Sequence, residues 1–103
     1  MSIFSFFRKA NINAGVEECR NTPGAVLVDV READEFRAGH IPKAVNLPLS
    51  TIQNISFAKT TPLYLYCLRG SRSKRAEGIL KRLGYTVVRS IGGINGYKGN
   101  VEA

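Results

Sequence analysis

The stretch that decides the fold is Leu63-Tyr64-Leu65-Tyr66-Cys67-Leu68-Arg69-Gly70-Ser71-Arg72-Ser73, an apolar run that ends in a cysteine. Its first residues are aliphatic or aromatic, which is typical of a buried strand. After Gly70, apolar residues recur at helical spacing at Ala76, Ile79, Leu80 and Leu83. Cys67 is therefore predicted at the carboxyl end of a strand, where a short loop opens into a helix.

The predicted position of Cys67 favours a thiolate. Ligands of open α/β sheets bind beyond the carboxyl ends of the strands, and amide N–H groups at a helix N-terminus attract anions. Arg69 and Arg72 add positive charge to the same loop. We therefore predict that the pKa of Cys67 is lowered and that this cysteine is a nucleophile at neutral pH.

The rest of the chain alternates strand-like and helix-like segments. The strand-like runs are residues 25–30, 44–47, 63–67 and 86–89. The helix-like segments are residues 14–21, 32–38, 48–54 and 71–83. Because apolar strands that alternate with helices form covered parallel sheets, the pattern predicts an α/β fold. We expect a central parallel sheet of four to five strands with helices on both faces.

Length and charge narrow the classes of function. The chain has 103 residues, which predicts one domain. Its formal net charge is +7, and residues 69–89 contain seven basic side chains and one acidic one. This basic segment is either a solvated helix face or a field that steers small anions or an acidic partner toward Cys67. Its helix, 71–83, has no aromatic residue, so no nucleic-acid partner is predicted.

Cysteine and histidine usage indicates neither a metal site nor a disulfide framework. Cys19 and Cys67 are the two cysteines, and His40 is the only histidine. We expect Cys19 to be a structural thiol packed on the sheet, with a redox partner of Cys67 as the alternative. We expect His40 to make a structural hydrogen bond rather than to act as a base.

The first residues carry an apolar cluster, which consists of Ile3, Phe4, Phe6 and Phe7. The run is too short and interrupted for a membrane span, and its charges, Arg8 and Lys9, follow the apolar part instead of preceding it as in a signal peptide. We therefore expect a cytoplasmic protein without a membrane partner. The cluster is predicted to pack on a neighbouring element, with a second subunit or a membrane surface as alternatives.

Five phrases lie in order along the chain: residues 27–32, 35–36, 39–48, 67–73 and 92–97. Together they resemble a single-domain rhodanese over roughly residues 12–99. On this resemblance, residues 1–11 are an N-terminal extension and residues 12–103 are the rhodanese-like domain.

The resemblance implies that the chain is a sulfurtransferase. The Cys67 thiolate would take the sulfane sulfur of a small anionic donor such as thiosulfate and hold it as a persulfide. A thiophilic acceptor, either cyanide or the thiol of a small molecule or protein, would then remove the sulfur. No metal and no cofactor are implied. Backbone N–H groups of the active-site loop would cradle the persulfide, and this loop consists of Leu68, Arg69, Gly70, Ser71, Arg72 and Ser73.

Asp29 and Arg31 are expected to support the loop. A buried carboxylate is costly without a partner, so Asp29 should bind either Arg72 or backbone amides. Arg72 would then tie the loop to the sheet, unless it faces the substrate anion instead. Arg31 and Glu35 are four residues apart at a helix start and can pair with each other. Arg69 either touches the donor or acceptor or is an ordinary exposed arginine.

Two other functions stay open. One is a module that receives persulfide sulfur from one protein and delivers it to another. The other is a phosphatase or arsenate reductase of related fold. Those phosphatases place one residue more between cysteine and arginine than the four that separate Cys67 from Arg72 here. The shorter loop has a narrower mouth, which favours sulfur transfer over phosphate chemistry.

Overall fold

The computed structural model describes residues 11–103. The expectations for Ile3, Phe4, Phe6 and Phe7 lie outside these residues. Within them the helices are α1 (Ile12–Arg20), α2 (Ala33–Ala38) and α3 (Ser71–Arg82), with 3₁₀ helices at Leu49–Asn54 and Ile94–Gly96. The strands are β1 (Val26–Asp29), β2 (Val45–Asn46), β3 (Leu63–Cys67) and β4 (Val88–Gly93).

The four strands form one parallel sheet in the order β2-β1-β3-β4. Parallel strands need crossover connections, and the helices between them supply these. The predicted α/β fold with a parallel sheet is therefore confirmed. Since all strands run in one direction, their carboxyl ends share one edge, and the segments that follow β1, β3 and β4 meet there.

Alternate residues of β3 enter two different apolar layers. Leu63, Leu65 and Cys67 face the layer that α3 and the first 3₁₀ helix cover. Tyr64 and Tyr66 face the layer that α1 covers. Helices thus lie on both faces of the sheet, as the sequence predicts, and β3 is buried along its whole length.

Cys19 lies on α1, in the layer opposite to that of Cys67. It is a free thiol that is 6% exposed. Burial raises its pKa to about 11, because a thiolate loses solvation there, while the nearby Arg20 opposes the rise. The structure agrees with a packing role for Cys19, and the sheet separates it from Cys67, which argues against a redox pair.

The bounds of several elements differ from the sequence prediction, most clearly those of α1 and β4. Helix α1 begins earlier than expected because the side chain of Asn11 accepts hydrogen bonds from the backbone N–H groups of Asn13 and Ala14. The short helix-like segment predicted at 48–54 is a 3₁₀ helix, Leu49–Asn54. Strand β4 begins later than predicted and continues through two glycines, since it pairs with β3 as far as Gly93.

Strand β4 approaches the cysteine loop closely. The β3–β4 register shifts between Leu65 and Cys67, and Cys67 then pairs with Gly93. A Cβ atom on Gly93 would collide with the carbonyl oxygen of Leu68 and the Cα atom of Arg69. Only glycine leaves room for the loop at this point. The backbone at the end of β4 therefore limits how closely Leu68 and Arg69 can approach the sheet.

Two helix glycines provide a matched test of packing. We expect Gly78→Ala to raise the free energy of unfolding by about 0.5–1 kcal/mol, because alanine favours the helix and a Cβ meets only the end of Arg82 at 3.7 Å. We expect Gly15→Ala to lower it by about 1–3 kcal/mol, because its Cβ would overlap the side chain of Ile91. Urea unfolding measures both, and stabilisation by Gly15→Ala would contradict this packing.

Candidate active site

The sulfur of Cys67 lies at the carboxyl end of β3, beneath the first turn of α3. Its Sγ atom accepts hydrogen bonds from the backbone N–H of Gly70 at 3.0 Å and of Ser73 at 3.4 Å. Gly70 caps α3 with φ +113°, a left-handed conformation that favours glycine. This turn directs amides of the helix start at the sulfur, as the sequence predicts for the loop.

Two opposing effects set the pKa of Cys67. Burial raises this pKa, because the residue is only 1% exposed. Hydrogen bonds from the backbone N–H groups of Ser73 and Gly70, from the Ser73 side chain and from the backbone of Arg69 lower it. The hydrogen bonds prevail, so the pKa of Cys67 lies below its ordinary value. The sequence analysis predicted a lowered pKa for Cys67, and the structure agrees. Main-chain amides contribute more to this lowering than the charges of the arginines.

A pair of hydroxyl groups lies behind the sulfur. The Ser73 side chain is fully buried, and its Oγ atom lies 3.8 Å from Cys67 Sγ. It donates to the carbonyl oxygen of Gly70 at 3.0 Å and lies 2.7 Å from the Oγ atom of Ser90. The backbone N–H of Ser90 donates a hydrogen bond to Glu77 Oε2 at 3.0 Å. Sequence reasoning missed Ser90, because no local pattern predicts which residue of β4 meets α3.

Asp29 and Arg31 form a buried ion pair. The Arg31 guanidinium donates to Asp29 Oδ2 at 2.7 Å, and the Arg31 backbone N–H donates to Asp29 Oδ1 at 2.9 Å. Arg31 also donates to the carbonyl oxygen of Gly39 at 2.7 Å, which ties the turn after β1 to the end of α2. Of the two partners expected for Asp29, Arg72 or backbone amides, the structure has a backbone amide, that of Arg31, and the Arg31 guanidinium joins it on the same carboxylate.

Arg72 binds Glu35. Its two terminal nitrogens donate to the two carboxylate oxygens of Glu35 at 2.7 and 3.0 Å, a forked ion pair. Arg72 therefore ties α3 to α2, and both of its terminal nitrogens are bound by Glu35. The expected pairing of Arg31 with Glu35 is wrong, because Arg31 binds Asp29 two residues before it and Glu35 binds Arg72, which the fold brings near.

The other predicted residues are placed as follows. Leu68, Arg69 and Ser71 are exposed on the loop, and Arg69 makes no ion pair with any residue that the structure describes. His40 stacks on Phe36 with 3.7 Å between ring centroids, and its Nδ1 atom lies 2.8 Å from the Phe36 carbonyl oxygen. His40 thus has the structural contact expected of it, and it lies outside the cysteine loop.

An open groove of about 1020 Å³ lies beside the loop. Arg69, Gly70 and Ser71 form one side of it, and the N-terminal end of α1 forms the other. Cys67 itself does not line this groove. Between residues 11 and 103, no cluster of three or more histidine, cysteine, aspartate or glutamate side chains is arranged to hold a metal ion. No helix in the same range could span a membrane.

The Ser73 hydroxyl provides a test of the sulfur's environment. We expect Ser73→Ala to raise the pKa of Cys67. The Ser73 hydroxyl, which donates to the Gly70 carbonyl oxygen beside the thiol, can turn its one proton to the thiolate, and alanine removes this donor while the backbone amides remain. The pH dependence of alkylation by iodoacetamide measures this pKa. Ser71→Ala is the matched control, because that exposed side chain makes no hydrogen bond to the sulfur. Equal pKa values in Ser73→Ala and the native protein would contradict the assignment.

The ion pair between Glu35 and Arg72 makes stability depend on pH. The Arg72 guanidinium lowers the pKa of Glu35 from 4.5 to about 2, with burial opposing it. A lowered carboxyl pKa stabilises the fold above the unfolded value, and this contribution is lost as pH falls from 4.5 toward 2. We expect Glu35→Gln to be less stable than the native protein at neutral pH, with the difference vanishing in acid. Glu17→Gln, an exposed change on α1, is the control, and a pH-independent difference would contradict the pairing.

Comparison with known proteins gives one family. The Rhodanese-like domain family matches residues 13–100. Protein YqhL of Bacillus subtilis is 40% identical over 82 residues, which are 77% of this chain and 65% of that protein. The chain thus spans just under two thirds of this relative's length. The thiosulfate sulfurtransferase GlpE of Pseudomonas savastanoi is 40% identical over 73 residues, which are 68% of each protein.

A comparison with solved structures gives the same family. A rhodanese-like domain protein from Staphylococcus aureus is 28% identical, with a TM-score of 0.76 over 90% of this chain and 94% of that one. The family match covers most of the chain and includes the strand, the cysteine loop and α3. The chain therefore belongs to the rhodanese-like family.

Proposed function

We propose that the chain is a sulfurtransferase that moves a sulfane sulfur from a donor such as thiosulfate to a thiophilic acceptor through a persulfide on Cys67. The observation that carries this proposal is the sulfur held between the amides of Gly70 and Ser73, with its pKa lowered. A thiolate at neutral pH is the nucleophile that such a transfer requires.

The transfer takes two displacements. The Cys67 thiolate attacks the outer sulfur of thiosulfate, the S–S bond of the donor breaks, and its electron pair leaves with sulfite. An acceptor nucleophile then attacks the terminal sulfur of the persulfide, and the electron pair of that S–S bond returns to Cys67. Neither step needs a metal, a cofactor or a general base, since the cysteine begins and ends as a thiolate.

The helix start provides the groups that hold the added sulfur. The first N–H groups of any α-helix lack intrahelical acceptors. In α3, the amide of Ser73 already faces Cys67 Sγ, while those of Ser71 and Arg72 are available for the terminal sulfur. Amides fixed in this way stabilise negative charge without reorganising during the reaction.

The position of Arg72 supports sulfur transfer over phosphate chemistry. Phosphoryl chemistry at such a loop uses an arginine that binds the phosphate oxygens. Here the Arg72 guanidinium is held by both oxygens of Glu35. The four-residue spacing between Cys67 and Arg72 points in the same direction.

A persulfide carrier that exchanges sulfur only with other proteins is the second candidate. The groove beside the loop favours it, because a groove of about 1020 Å³ exceeds what a small inorganic donor needs. Both candidates use Cys67, and they differ in the donor and in the range of acceptors. For either function, a cytoplasmic location stays a prediction from the sequence.

The two cysteines allow a controlled test. We expect Cys67→Ser to abolish sulfur transfer from thiosulfate to cyanide, because the persulfide can no longer form. Cys19→Ala is the control and should retain transfer, since Cys19 lies in the opposite layer. Intact-protein mass spectrometry after incubation with thiosulfate should show a gain of one sulfur atom in the native chain and in Cys19→Ala.

The outcomes separate the candidates. A gain of sulfur from thiosulfate alone supports the transferase. A gain only from a protein persulfide supports the carrier. Undiminished transfer by Cys67→Ser would contradict both.

A further inference from the structure

The groove beside the cysteine loop is large compared with a small inorganic anion. Its volume of about 1020 Å³ is just above the roughly 300–1000 Å³ typical of pockets for drug-sized organic ligands. It lies at the carboxyl edge of the sheet, between the N-terminal ends of α1 and α3. One side is the loop segment that starts two residues after Cys67. A ligand in this groove therefore lies next to the sulfur site and has the size of a short peptide segment.

The charged side chains that line the groove all have one sign. They are Arg69 and Lys74, and no carboxylate is among the lining residues. Lys74 lies 3.9 Å from Glu77, but its side chain is 77% exposed, so this contact is weak and screened. Arg72, the other cation of the loop, is already bound by Glu35. The groove thus presents two cations that lack a strong partner among the described residues.

Part of the groove is lined by glycines. Gly92, Gly93 and Gly96 line it and present no side chains. Its wall is already ordered, because Asn13 Nδ2 donates to the Gly96 carbonyl oxygen at 3.0 Å and the Asn95 N–H donates to the Leu68 carbonyl oxygen at 3.2 Å. A lining that is already held by hydrogen bonds suits an extended peptide, since little has to be ordered on binding.

We propose that this groove binds an acidic peptide segment of the protein that accepts the sulfur. The inference rests on the proposed function and names the acceptor's chemistry. Carboxylates beside the acceptor's cysteine meet Arg69 and Lys74, which brings the acceptor sulfur to the persulfide. The acceptor thiolate forms a bond to the terminal sulfur, the S–S bond to Cys67 breaks, and its electron pair stays on Cys67.

Direct binding tests the groove without sulfur chemistry. The probes are three labelled peptides of equal length with a central serine, flanked by acidic, neutral or basic residues. Fluorescence anisotropy with the native chain should show binding of the acidic peptide at least about tenfold tighter than that of the neutral one. Lys74→Glu should remove this preference. Arg75→Glu is the matched control, because Arg75 is exposed on the same helix, carries the same charge and does not line the groove.

Sulfur transfer provides the second readout. The same peptides with cysteine in the centre are added to protein loaded from thiosulfate, and mass spectrometry follows loss of sulfur from Cys67. The acidic peptide should react about tenfold faster than the neutral one, and Lys74→Glu should slow it while Arg75→Glu keeps most of the rate.

Three results would overturn the inference. They are equal binding of acidic and neutral peptides, equal losses in Lys74→Glu and Arg75→Glu, and a small uncharged thiol that accepts sulfur as fast as the acidic peptide. Failure of the proposed function is a different observation, namely that Cys67 gains no sulfur before any peptide is added. The binding experiment tests the groove in that case as well.

Discussion

The structure depends on the hydrogen bonds between the first turn of α3 and the sulfur of Cys67. A buried cysteine ordinarily stays a thiol, because the protein interior solvates a thiolate poorly. Here the amides of Gly70 and Ser73 replace water at the sulfur and reverse that preference. The rest of the fold keeps this turn in place. Strand β3 places Cys67 at the sheet edge, and Gly93, which has no side chain, leaves room for the loop that follows the cysteine.

Two ion pairs hold the surroundings of that turn. Asp29 and Arg31 close the segment after β1, and Glu35 holds Arg72 at the start of α3. The second pair has a chemical consequence, because Glu35 binds the Arg72 guanidinium through both carboxylate oxygens. The groups that lower the pKa of Cys67 are then mainly oriented amides, which are fixed by the helix start and need no reorganisation to stabilise negative charge. Arg69 is left as the exposed cation of the loop.

The sequence predicts the site's main chain better than its side-chain partners. The bounds of β3 and the start of α3 follow from a short apolar run that ends at Cys67 and is followed by Gly70, and both are local signals. The partner of Arg72 could not be found in this way, since Glu35 lies 37 positions away and is brought near only by the sheet. Ser90 was missed for the same reason. Local spacing suggested that Arg31 and Glu35 pair, and the folded chain gives each of them another partner.

The most direct measurement is a pH titration of the Cys67 thiol in the Cys19→Ala protein, followed by the ultraviolet absorbance of the thiolate. The account predicts a midpoint below that of an exposed cysteine, followed by the uptake of one sulfur atom from a sulfane donor at neutral pH. A midpoint at or above that of an exposed cysteine would show that burial outweighs the amides of α3, and it would contradict the account.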